Sequence, residues 1–363
     1  MHVNPDRILL HRLGSLGDTL VTLPIFHLLE RRWPNAEKRV LTNSPINAKA
    51  PPLWSVLGQN NFIDGHFSYR LGTRNVASLW SLIRDIRRWG PDIIVYANPI
   101  YSRSVLWRDR AFLGLCGAQD ILGLGAANLL EEQPVGLANG IVPSMASHIS
   151  SGLSELGDFE IENSENWSLR LVPAEREAAM RTLANWEGRD EFVAFSIGTK
   201  WPENDWGDTS WQRVFDIVSG RKPGVGLVAV GASGESDRSA QLLEAWRGPT
   251  LNCCGSISPR ESAGLIERAV CFAGHDSGPM HLAAAVMTPT VSVFSLKNPP
   301  GLWFPHGKDN RIFYPGLAWS GGNPAVTRNA AGEINLSSIP ADAVAEACID
   351  LFDAVHSGHP HGW

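Results

Sequence analysis

Short Leu-, Ile- and Val-rich runs alternate along the whole chain with stretches whose apolar residues recur every three or four positions. Arg7–His11 reads as a buried strand. After a glycine-containing turn, Leu20, Leu23, Phe26 and Leu29 predict a helix over about Asp18–Trp33. Arg39–Thr42, Phe62–Phe67 and Asp92–Tyr96 read as further strands. Between the last two, a helix over Ala77–Trp89 collects Leu79, Trp80, Leu82, Ile83, Ile86 and Trp89 on one side and leaves Arg84, Arg87 and Arg88 elsewhere. Strand, helix, strand in this order implies a parallel sheet covered by helices.

The rhythm loosens over the acidic, Gly- and Asn-containing stretch Glu131–Asn166 and then resumes. Predicted helices cover Ala174–Trp186, Thr209–Ser219, Glu235–Trp246, Pro259–Arg268 and Gly278–Val286. Predicted strands cover Glu191–Ser196, Gly226–Val230, Val270–Ala273 and Thr290–Phe294. Asn298–Ser338, rich in Gly, Pro and Asn, reads as long loops, and Pro340–Val355 as a closing amphipathic helix. The expected organisation is α/β: residues 1–172 as a first Rossmann-like domain and 173–338 as a second. Residues 339–363 form a helix and tail expected to pack back toward the first domain. Small molecules bind beyond the carboxyl ends of such sheets, and a cleft between two of them is the expected active site.

At 363 residues, 44% hydrophobic and 19% charged, the chain has an ordinary globular balance. No apolar run reaches the roughly 18 residues of a membrane span. The N-terminus offers only Ile8-Leu9-Leu10, too short for a signal-peptide core. Five cysteines without a Cys-x-x-Cys pair point to a reducing compartment rather than to a disulfide or zinc framework. The net charge of −6 hides an asymmetry. Residues 1–120 hold 15 Lys/Arg against 9 Asp/Glu, whereas residues 121–172 hold one against seven. An anionic partner for the first region is one explanation; a general preference for Arg, which outnumbers Lys 25 to 6, is the other.

Three segments carry candidate chemistry. In Arg12-Leu13-Gly14-Ser15-Leu16-Gly17-Asp18, between the first strand and helix, two glycines permit a tight turn at a helix start. Asp18 there has two readings that do not exclude each other: a helix cap, and a carboxylate base. Gly274-His275-Asp276-Ser277-Gly278-Pro279-Met280-His281 leads from a strand into a helix. Ser277 and Gly278 present donors at the helix start, Pro279 fits the first turn, and the pattern implies a phosphate cradle with His281 one turn inside. The alternative is a capped helix with a core-facing histidine. Ser196–Pro202 places Thr199 and Lys200 after a strand, suited to a phosphate, and Glu235 follows the next strand as a ribose acceptor or a helix cap. Gly-x-Ser-x-Gly, Gly-x-Gly-x-x-Gly and His-x-x-x-His are all absent, so no hydrolase elbow, dinucleotide fingerprint or metal motif is read here.

These pieces, in this order, resemble glycosyltransferase family nine, the ADP-heptose:lipopolysaccharide heptosyltransferases. Arg7–Pro24 (RILLHRLGSLGDTLVTLP) is similar to the family's N-terminal segment. Phe272–Phe294 (FAGHDSGPMHLAAAVMTPTVSVF) is similar to its most specific signature. Gly255–Ser258 and the Pro300–Pro305 loop with Trp303 fit too. The resemblance implies a GT-B fold, with donor nucleotide on the second domain and acceptor on the first, and metal-independent transfer with inversion and no cofactor. It implies Asp18 as base and Asp276, Ser277, Gly278, Met280, His281 and Glu235, with Thr199 and Lys200, at an ADP-sugar donor. Gly14, Ser15 and Gly17, with Arg70, Arg74 and Arg103 from the basic region, are the candidate acceptor residues. The acceptor class implied is an anionic glycan or glycolipid such as lipopolysaccharide, with no nucleic acid involved.

One departure concerns the family's lysine ahead of a Trp-Pro element. Aligned on Asp205-Trp206-Gly207, that position holds Asn204; aligned on Trp201-Pro202, it holds Lys200. Of the tryptophans in the first half (Trp54, Trp80, Trp89, Trp107), most are expected in the core, with sugar stacking or a membrane surface as the other reading. A cytoplasmic protein with peripheral contact at the membrane face is the expected setting. The competing readings are a nicotinamide-dependent oxidoreductase, a non-catalytic nucleotide-sugar-binding protein and a nucleotide-sugar epimerase.

Overall fold

The computed structural model describes residues 4–44, 51–58, 62–73, 75–125, 129–130, 141–320, 323–325 and 333–357. Arg74, one of the candidate acceptor residues, lies outside them. The chain divides into two compact units, Met1–Trp167 and Ser168–Trp363.

The first unit runs β1 (Arg7–His11), α1 (Leu16–Leu20), α2 (Leu23–Arg32), β2 (Glu37–Asn43), α3 (Leu53–Leu57), β3 (Gly65–Tyr69), α4 (Val76–Trp89), β4 (Ile93–Tyr96), α5 (Arg103–Gly114), β5 (Asp120–Leu122) and α6 (Met145–Ser151). Its five strands are all parallel, in the order β3-β2-β1-β4-β5. The single helix expected over Asp18–Trp33 is two helices. Pro24, in the first turn of α2, has no N–H to offer the Leu20 carbonyl, so the ladder stops and restarts at Val21-Thr22. β3 lies later than expected because pairing with β2 fixes its register, Arg39 opposite Gly65. On one face of the sheet, Leu9, Leu41 and Ile94 pack against Ile83, Ile86 and Trp89 of α4 and Leu113 of α5. Those two helices therefore share a layer.

The second unit runs α7 (Pro173–Leu183), β6 (Phe192–Ser196), α8 (Asp208–Arg221), β7 (Gly226–Ala229), α9 (Ser236–Leu243), β8 (Thr250–Asn252), α10 (Pro259–Ile266), β9 (Cys271–His275), α11 (Gly278–Ala285), β10 (Thr290–Val293), β11 (Arg311–Tyr314), β12 (Leu317–Ser320), β13 (Asn323–Ala325) and α12 (Ala341–His356). The sheet order is β13-β12-β11-β10-β9-β6-β7-β8. β11 to β13 correct the expectation of loops over Asn298–Ser338: β11 adds parallel to β10, and the last two strands turn back antiparallel. Strands of three or four residues among Gly and Pro carry too little periodicity to read.

The final helix, α12, packs on α8 of its own unit. Val344, Cys348, Leu351 and Phe352 are buried in the second unit's core. Asp342 meets Arg213 at 2.9 Å on the rim, where Arg221–Glu346 and Lys222–Asp353 also pair. An amphipathic stripe states that a helix must be covered, not by what. No helix among the described residues is long and apolar enough to cross a membrane.

Candidate functional site

In a parallel sheet all carboxyl ends line one edge, and the candidate residues fall on those edges. In the first unit, the turn after β1 is held by its neighbours on both sides. Asn43, at the end of β2, accepts the Gly14 N–H at 2.8 Å; Asn98, after β4, accepts the Leu13 N–H at 2.7 Å. Gly14 has φ +122°, and a Cβ there would stand 2.4 Å from the Asp18 side chain, so glycine is required twice over. Asp18 occupies the third position of α1, where its Oδ2 accepts the Ser15 N–H at 2.7 Å and the Ser15 hydroxyl at 2.8 Å. The capping reading of Asp18 is thus realised through its carboxylate, which accepts both donors of Ser15. Its Oδ1 faces Arg12 Nη2 at 3.8 Å, and the side chain is 23% exposed. Gly17 is buried within α1.

Arg12 is the residue that sequence reasoning passed over. Its side chain is fully buried, yet its Nε donates to the Asp18 carbonyl at 2.7 Å and its Nη1 to the Ala97 carbonyl at 2.8 Å. Burial lowers its pKa and the Asp18 charge opposes that shift. Beneath the turn, His11 is wholly buried and lowered to about 4, mainly by desolvation. Asn98 contacts its ring at 3.3 Å and donates to its carbonyl at 2.8 Å. Arg70 and Arg103 are exposed, the first after β3 and the second opening α5. Tyr101 stands close enough to Asp18 for the carboxylate to add to a rise in its phenol pKa that partial desolvation begins.

In the second unit, β9 feeds α11 through Asp276-Ser277. Ser277 is at the N-cap position but its hydroxyl makes no cap bond. Among the described residues, that Oγ is buried with no hydrogen-bond partner. Of the alternative reading, the serine cap is missing at Ser277, whereas the inward-facing histidine is present in His281. Met280 is wholly buried beneath the turn, and His281, nearly buried, meets Trp303 edge-on at 6.1 Å.

Glu235 lies between two strand ends. A Cβ on Gly198, after β6, would meet its carboxylate at 2.5 Å, and one on Gly231, after β7, at 2.2 Å. Its Oε2 accepts the Ala232 N–H at 3.0 Å, so the acid also closes its own turn. Thr199 donates to the Trp201 carbonyl at 3.0 Å, and Lys200 is exposed. Asn204 is buried, its Oδ1 taken by the Ser295 hydroxyl at 2.6 Å. Trp201 carries Lys297 at 3.5 Å and Lys200 at 5.8 Å from its ring centre. Of the two alignments, the Asn204 position therefore serves packing, while Lys200 supplies a solvent-facing cation.

Two further residues hold this edge together. His275 Nε2 accepts the Trp206 N–H at 3.0 Å and the Trp211 indole N–H at 3.2 Å, so its proton is on Nδ1. Desolvation lowers it to about 4. Arg238 of α9 bridges Asp205 and Asp208 at 2.6 and 2.5 Å. Burial alone would raise the Asp205 pKa, but hydrogen bonds from Arg238 and the Gly207 amide, with its charge, lower it on balance. His275 was inside a motif already singled out; nothing in the sequence marks Arg238.

Residues 150–315 match the family model described as glycosyltransferase family 9 (heptosyltransferase). A lipopolysaccharide heptosyltransferase 3 of Escherichia coli is 24% identical over 355 residues, spanning 94% of this chain and 98% of the relative. Over those residues the chain is similar to glycosyltransferase family 9. Among solved structures, a family 9 glycosyltransferase from Veillonella parvula matches with TM-score 0.73 at 18% identity, covering 97% of this chain and 98% of the other. The E. coli heptosyltransferase WaaC with ADP matches with TM-score 0.62 at 15% identity, covering 95% and 99%. The fold is GT-B, built from two Rossmann-like α/β units. The family model begins at residue 150, so the Asp18 turn lies outside the matched residues, whereas the Asp276 turn lies within them.

Proposed function

We propose that this protein is a glycosyltransferase that moves a heptose from ADP-heptose to a hydroxyl of an anionic lipopolysaccharide-type acceptor, with inversion and without a metal. What supports the donor is that relatives carry heptosyltransferase names and that a structural relative is described with ADP bound. The observation that carries the reading is the start of α11, where a buried Ser277 hydroxyl has no partner among the described residues. A helix start with open donors suits a diphosphate. In the proposed step the acceptor oxygen bonds to the anomeric carbon as its proton passes to Asp18, and the bond from that carbon to the phosphate oxygen breaks. ADP leaves with the electron pair. Ser277, Gly278 and Lys200 meet the charge that develops on it.

Asp276, His281, Thr199 and Glu235 complete the donor set, with Met280 as packing below. Glu235 takes the ribose hydroxyls. Gly14, Ser15 and Gly17 frame the attacking hydroxyl, and Arg70 and Arg103 take acceptor phosphates or carboxylates. A glycolipid acceptor brings the protein into peripheral contact with a membrane surface. The test is incubation of the purified protein with ADP-heptose and a lipopolysaccharide core lacking the added heptose, followed by mass spectrometry of the glycolipid. A mass gain of one heptose, matched by ADP release, is expected. ADP-heptose binding without transfer would assign the non-catalytic reading instead. The similarity to family 9 favours the transferase over the oxidoreductase reading.

A further inference from the structure

Exposed apolar side chains in the first unit are not scattered. Among the described residues, its exposed large hydrophobics are Leu71, Val76, Trp80, Tyr101, Trp107 and Leu115, all within a stretch that holds α4 and α5. Trp80 was expected on the buried side of its helix; it is 55% exposed, and Trp107 is 69% exposed. Trp89 is buried as expected, and Trp54 is half-covered by a stack on His66 at 4.0 Å. Two large indoles left in water on neighbouring helices ask for a partner.

The charges around them say which kind. In α4, Val76, Trp80 and Arg84 recur every four residues on the outer face, with Arg87 one turn on; all four are exposed. In α5, Arg103, Trp107 and Arg110 recur in the same way. Both helices pack on the same side of the sheet, so both outer faces look the same way. In α5 the tryptophan lies between arginines and in α4 it is followed by two, the pairing that seats an indole among headgroups while guanidinium groups meet phosphate. The start of α4 follows the carboxyl end of β3, and the start of α5 follows that of β4, the edge that also carries Asp18.

We propose that the outer face of α4 and α5 docks on an anionic phospholipid surface through Trp80 and Trp107, with Arg84, Arg87 and Arg110 as phosphate partners. The inference rests on the proposed function in one respect, that a glycolipid acceptor is met at a membrane. The docking face sets the Asp18 edge beside that surface, where the acceptor's headgroup sugars stand.

The test is flotation of the full chain with vesicles of phosphatidylcholine alone, or of an equal mixture with phosphatidylglycerol, at low and high salt. The wild-type protein is expected to float with the anionic vesicles only and to be released by salt. W80S/W107S is expected to lower the partition at least about tenfold, and R84Q or R110Q about fivefold each. Thermal melts of these surface variants are expected to match wild type. Transfer to a soluble core oligosaccharide is expected to stay at the wild-type rate in W80S/W107S, which separates loss of docking from failure of the proposed function. Equal flotation with neutral vesicles, or none with either, overturns the inference. So does W80S/W107S floating like wild type, or self-association that this variant abolishes, which would assign the face to a second copy.

Discussion

The turn after β1 and the turn after β9 are the same device built twice: a parallel strand, a small-residue turn with an aspartate, then a helix. They differ in how much of their polar capacity is already used. After β1, the Leu13, Gly14 and Ser15 amides are all accepted by side chains, the Ser15 hydroxyl by Asp18, and the Asp18 carbonyl accepts buried Arg12. After β9, the N-cap serine's hydroxyl makes no cap bond and is buried without a partner among the described residues. A group that must take a proton from one direction gains from a rigid mount, because misplacement by an ångström is expensive. A surface that must receive developing charge needs donors not yet committed.

The comparison breaks first at Asp18. Asp18→Asn keeps an oxygen for Ser15 and so keeps the helix start, but removes the proton acceptor. Its kcat is expected to fall by about 10²–10⁴ with ADP-heptose affinity unchanged by calorimetry. An unaltered rate would leave the first turn as structure only.

Acid treats both units alike. His11 and His275 each hold a buried neutral imidazole, lowered by desolvation from the ordinary 6.5 to about 4. Between those values the unfolded chain binds protons that the folded chain refuses. The stability each contributes is full above about pH 6.5 and is lost as pH falls toward 4, on the order of 3 kcal/mol per histidine. Thermal melts from pH 7 to 4.5 should show the loss, and H275Q should remove part of the slope.

Next comes Gly14→Ala, which places a Cβ against Asp18 at positive φ. A loss of about 2 kcal/mol or more in urea unfolding is expected, with activity falling alongside. The smallest effects sharpen the contrast most. Ser15→Ala loses the hydroxyl's bond to Asp18 and should cost about 1 kcal/mol of stability. Ser277→Ala gives up no internal bond, so its melt should match wild type while donor affinity falls about tenfold. The reverse pattern would invert the roles of the two turns.

Much of this was legible in the chain. The strands around both motifs lie within a few residues of where the apolar runs put them, because a parallel strand buried on both faces writes itself as consecutive branched residues. Asp276-Ser277-Gly278 read as a helix start with open donors, and Glu235 read both ways, as cap and as acceptor. Arg12, Asn43 and Asn98 did not read at all as a set. They are 31 and 86 positions apart from the first to each of the others in numbering, and only the β2-β1-β4 order brings them to one turn. Trp80 misled because it sits at the border of the apolar stripe, where a shift of one position exchanges core for solvent.

What the sequence alone determined is the alternation of strands and helices, the two motif-bearing turns and the excess of arginine in the first third. Those follow from side-chain periodicity and from glycine at sites where nothing larger fits. Tertiary structure decided which turn had its donors consumed, which helix covered the second sheet and which tryptophans stayed in water. Hydrogen-bond satisfaction and burial depend on neighbours that are close in space and far along the chain, and local pattern holds no record of them.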